Sequence, residues 1–60
     1  MDLQEFKNEI KLQITNYPLL KEEILDFYEL AINEIEEGNS VTHEINLCIQ
    51  SIEDLIDNNK

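Results

Sequence analysis

One proline and one glycine, Pro18 and Gly38, punctuate a chain whose apolar residues otherwise recur every three or four positions. That spacing is the period of an α-helix with one buried face. Neither residue sits in a helix interior without cost. Proline lacks the N–H and clashes with the preceding turn, and glycine costs ~1 kcal/mol relative to alanine. The pattern therefore predicts an all-α fold of three helices, over about residues 2–15, 18–37 and 40–57, packed as a small antiparallel bundle in up-down-up order.

Local signals agree with these breaks. Asp2 followed by Glu5 reads as a capping box, and Leu3, Phe6, Ile10 and Ile14 then form one narrow apolar stripe. Asn16-Tyr17-Pro18 ends that helix, because the residue before a proline is pushed out of the α region. Pro18 suits the first position of the next helix, with Glu22 and Glu23 near its positive end. On the second helix Leu20, Ile24, Phe27, Tyr28, Ala31 and Ile35 share one face, widened by Leu25 and Ile32 on one side and by Leu19 and Leu30 on the other. This arc exceeds the ~100° of a helix that covers one side of a core, so the second helix is expected to be central. Gly38 stands where a left-handed residue closes a helix, and Asn39 or Ser40 can cap the third. Val41, Ile45, Cys48, Ile49, Ile52, Leu55 and Ile56 then share one clean face.

Sixty residues make a single acidic helical domain, 1–60, that buries only ~60% of its unfolded surface. One cysteine allows no intrachain disulfide and fits a reducing, cytoplasmic compartment. No apolar run approaches the ~20 residues of a membrane helix, and no secretory leader is expected. A small domain without disulfide or metal gains stability by oligomerising, so a homodimer is expected to complete the core.

Charge narrows the function further. Fourteen acids against four lysines and no arginine give a net charge of −10. From Glu22 to Asp57 there are eleven acids and no lysine, whereas Asp2, Glu5 and Glu9 balance Lys7, Lys11 and Lys21. Such a field repels nucleic-acid phosphate and anionic membranes and attracts basic surfaces. Direct nucleic-acid binding, which needs cations to displace counterions, is not expected.

His43 and Cys48 are the residues with the most chemistry to offer. Five positions apart on a helix, they point ~140° away from each other, and no second His or Cys could complete a metal site. Cys48 lies in the apolar stripe as a buried thiol, and His43 falls in the first turn on the polar side. His43-Glu44 begins a zinc-protease pattern that Leu47 then breaks. There is no glycine-rich phosphate loop, no calcium-loop order of acids and little room for a pocket of ~300 Å³. No catalytic, cofactor-binding or metal-binding residue is expected, and the chain reads as non-enzymatic.

Two breaches of local rules remain. Glu34, Glu36 and Glu37 crowd the negative end of the second helix, where each acid costs ~0.3–1 kcal/mol. Glu22, Asp26, Glu29, Glu36 and Glu37 form a rib opposite the apolar face, the candidate surface for a basic protein partner. Leu12 and Leu47 are stranded on polar faces, and Leu25 and Ile32 overhang the main one. These four are the candidate oligomer interface.

The stretch "YPLLKEEILDFYELAINEIEEGNSVTHEINLCIQSIEDLI" resembles short acidic helical proteins of tailed phages, particularly marine T4-like ones, over about residues 17–56. The likeness centres on the "EIEEG-S--HEI-L" corner and contains no catalytic motif. It implies a setting inside an infected bacterium, hence host cytoplasm, and a protein that acts by binding. Two classes of function follow. One is an inhibitor or modulator docking on a basic surface of a host or phage protein, with nucleic-acid mimicry as its sharpest form. The other is a structural homo-oligomer whose acids serve solubility alone. For mimicry, five acids over ~22 Å are sparse beside the one charge per ~1.7 Å of duplex DNA.

Overall fold

The computed structural model describes residues 1–59. Three helices, α1 (Leu3–Asn16), α2 (Lys21–Glu36) and α3 (Val41–Asn58), account for the fold, with a 3₁₀ turn, Pro18–Leu20, between the first two. Among the described residues there is no strand.

Each boundary has a local cause. Asp2 Oδ1 accepts the Glu5 backbone N–H at 2.8 Å, so α1 begins one residue after its cap. The Ser40 hydroxyl likewise accepts the His43 N–H at 3.3 Å and opens α3. Gly38 has φ +103°, and the two bonds that follow define a Schellman closure. The Gly38 N–H reaches the Ile35 carbonyl at 3.0 Å, and the Asn39 N–H reaches that of Glu34 at 3.1 Å.

The entry to α2 differs from the sequence expectation. Pro18 opens a one-turn 3₁₀ segment, with the Leu20 N–H on the Tyr17 carbonyl at 2.9 Å, and Leu20 (φ −102°, ψ 10°) leaves the α region before α2 begins at Lys21. The tighter turn takes Leu19 off the wheel of α2. It stands 95% exposed instead of widening the apolar face.

The core is built from Phe6 and Ile10 of α1, Ile24 and Ala31 of α2, and Ile45, Cys48, Ile52 and Ile56 of α3. No polar or charged side chain is buried among the described residues. Leu3, expected at the start of the α1 stripe, is nearly half exposed, and of that stripe Phe6, Ile10 and Ile14 join the core. Ile10 and Gln13 of α1 lie beside Ile49 and Ile52 of α3, and the ends of both helices meet where Asn16 and Tyr17 approach Ile56 and Asn59. The two therefore run parallel, with α2 antiparallel to both, in the expected up-down-up order.

Candidate functional site

The acids of the rib, Glu22, Asp26, Glu29, Glu36 and Glu37, are all exposed. Among the described residues no side-chain hydrogen bond or ion pair engages any of them. Glu34 behaves differently. Its carboxylate accepts the Asn39 side-chain amide at 2.6 Å across the corner, where a Schellman closure more often has an apolar contact. The unfavourable place of Glu34 at the negative end of α2 is thus compensated locally, whereas that of Glu36 and Glu37 is not.

The leftover apolar residues fall in different places. Leu25 and Ile32 are half-buried, and Ile32 packs against the core. The Phe6 and Tyr28 rings lie 5.2 Å apart, which puts α1 on the Tyr28 side of α2. On a helical wheel Ile32 is ~40° and Leu25 ~60° beyond Tyr28 on that same side. Leu12 and Leu47 are about half exposed (51% and 50%), on α1 and α3 respectively. Leu47 is brought together with Leu30 of α2, itself 59% exposed, and with none of the other three.

Leu30 and Leu47 belong to a feature that the wheel alone does not reveal. On the side of the α2–α3 hairpin away from α1, an open groove of about 320 Å³ runs between the two helices. Ala31, Cys48 and Ser51 form its small-residue floor, Phe27, Leu30 and Leu47 its apolar walls, and Glu34 and Glu44 stand at the corner end. A second cleft, also about 320 Å³, lies at the α1–α2 connection beneath Tyr17, Pro18 and Leu19. The expectation of little room for cavities of this size is corrected. Both spaces are clefts open to solvent, one between α2 and α3 and one at the α1–α2 connection, rather than an enclosed chamber.

Cys48 is 4% exposed, and burial raises its thiol from 9.0 to about 11. Desolvation disfavours the thiolate, so at a fixed pH its fraction falls ~100-fold for a rise of two pKa units. Alkylation at pH 8 is therefore expected to be at least ~100-fold slower in the native protein than in urea. Equal rates would mean that Cys48 is not held in the core. His43, at the third position of α3, is exposed and uses its backbone rather than its ring to form the cap. No group of three or more His, Cys, Asp or Glu side chains that could hold a metal ion occurs among the described residues. No described helix is long and apolar enough to cross a membrane.

No protein-family model, curated protein or solved structure matches the chain.

Proposed function

We propose that this is a non-enzymatic binding module whose acidic side docks on a basic protein surface, as an inhibitor or modulator acting inside a phage-infected bacterium. The observation that carries the reading is the state of the rib. Five exposed acids line the outer side of α2 with no ion pair to any of them among the described residues, two at the helix end whose dipole disfavours them. Like charges at these spacings cost ~0.2–0.5 kcal/mol per pair, a standing cost that a basic partner would remove. Approach driven by such a field is fast and weakens steeply with salt.

The test is capture from a bacterial lysate at low salt on two immobilised forms, the parent and a variant carrying Gln at positions 22, 26, 29, 36 and 37. The parent is expected to retain basic proteins that elute as salt rises. The variant is expected to lose them while melting at a higher temperature, since the mutual repulsion is gone. If the variant captures the same proteins and also precipitates, the acids serve solubility and the binding reading fails. The exposed leucines Leu12, Leu30 and Leu47 favour a second reading, a structural homo-oligomer. A sedimentation coefficient and a melting temperature that both rise with concentration would support it.

A further inference from the structure

We propose that the open α2–α3 groove receives a single amphipathic helix of the partner, one with an apolar stripe flanked by lysine or arginine. This rests on the reading of the chain as a module for basic protein surfaces, and it names the element that docks and the place where it does so.

Three observations carry it. The first is architecture. A pair of packed helices has a groove on each side, and α1 fills only one of them, with Phe6 and Ile10 buried and Ile14 packed against the core. The other groove stands where a four-helix bundle would place its fourth helix. Its lining runs from Phe27 to Glu34 on α2 and from Glu44 to Ser51 on α3, which is about two helical turns, or ~10 Å. That length matches apolar anchors at i, i+3 or i+4, and i+7 of an incoming helix.

The second is shape. The floor residues Ala31, Cys48 and Ser51 are small, and the wall residues Phe27, Leu30 and Leu47 are large. Small side chains beneath large ones make a hole for a knob rather than a flat patch.

The third is charge, and it decides between occupants. Glu34 and Glu44 stand in the groove itself. Exposed Asp26 and Glu37 lie four before and seven after Leu30 and so on its side of α2, and Asp54 lies seven after Leu47 on α3. A second copy docked here about a two-fold axis would set this acid-lined groove against an identical one, between chains of −10 each. A helix with basic margins meets opposite charge along both walls.

The probe is an 18-residue Leu/Lys peptide with leucine at helical spacing, titrated into ¹⁵N-labelled full-length protein, beside a scrambled peptide of the same composition. The amphipathic peptide is expected to shift the amides of Phe27, Leu30, Ala31, Leu47 and Cys48 saturably, and the scrambled one at least tenfold more weakly. The double variant Leu30→Gln with Leu47→Gln changes only exposed side chains. It is expected to keep the parent circular dichroism and to lose tenfold or more in affinity for the amphipathic peptide. If both peptides instead shift Glu22, Glu29 and Glu36 equally and leave the groove amides unmoved, the groove assignment is overturned while the acidic-surface reading survives. If neither peptide binds at 50 mM salt, both fail. If the groove amides move with protein concentration alone and sedimentation reports a dimer, a second copy fills the groove and this proposal is wrong.

Discussion

Phe6→Ala is expected to leave the chain largely unfolded at room temperature. Phe6 is fully buried, is the largest side chain that α1 contributes to the core, and lies against Tyr28 at a ring separation of 5.2 Å. Truncating a buried phenylalanine costs ~3–5 kcal/mol through lost burial and the cavity left behind. Loss of the aromatic pair is worth ~0.5–1.5 kcal/mol beyond area. A domain below about 70 residues rarely has more than ~3–5 kcal/mol of stability in total. The cost therefore equals or exceeds the whole, and α1 keeps only Ile10 and Ile14 to hold it in place. Far-UV circular dichroism should show most of the helical signal lost at 25 °C. A variant that still melts cooperatively within ~5 °C of the parent, a change of about 1 kcal/mol, would show that α1 is not anchored by this ring.

Gly38→Val is expected to lower the melting temperature by about 10 °C or more. At φ +103° an L side chain is strained, and a β-branched one resists positive φ most. Nothing lies within 4 Å of a Cβ built at this position, so the penalty is one of backbone conformation, with no clash added. Such strain is worth ~1–3 kcal/mol, and each kcal/mol moves the melting point by ~4–8 °C in a domain of this size. Because the space is open, Gly38→Asn should be milder than Gly38→Val, asparagine tolerating the left-handed region better. Equal melting of the two variants would point to a flexible corner rather than a fixed left-handed one.

The parts of the fold that were legible in the sequence are those governed by three or four consecutive residues. Asp2, Gly38 and Ser40 act within one turn of their own position, and each ends or begins a helix as its chemistry requires. Pro18 was more ambiguous. A proline suits the first position of an α-helix and of a 3₁₀ turn alike, and the difference lies at Leu20, which packs against the core with backbone angles outside the α region.

The groove was not legible, for a physical reason. A wheel gives the width of an apolar arc but not the edge on which a third helix settles, since that depends on how the α1–α2 connection crosses. Leu25 and Ile32, the expected open edge, lie on the Tyr28 side of the wheel, the side on which Tyr28 meets Phe6 of α1, and Ile32 packs against the core. One signal was present all the same. Leu30 and Leu47, Ala31 and Cys48, and Glu34 and Glu44 are nearly equidistant along the chain from Asn39. In a tight antiparallel hairpin such pairs face each other, so the sequence itself matches the small pair and the flanking leucines across the corner.

The brevity of that corner also bears on how quickly the chain finds its fold. Between Glu36 and Val41 the chain reverses within a few residues, and the turn at Pro18–Leu20 is as short. Little entropy is lost in closing loops of this length, whose ends are never far apart in the unfolded chain. The pairs that α2 and α3 bring together are consequently near neighbours in sequence, beginning with Glu34 and Glu44 and extending outward turn by turn. Bundles of such low contact order fold in microseconds to milliseconds. A single reversal set by Gly38 thus shapes the kinetics of the molecule as well as its form.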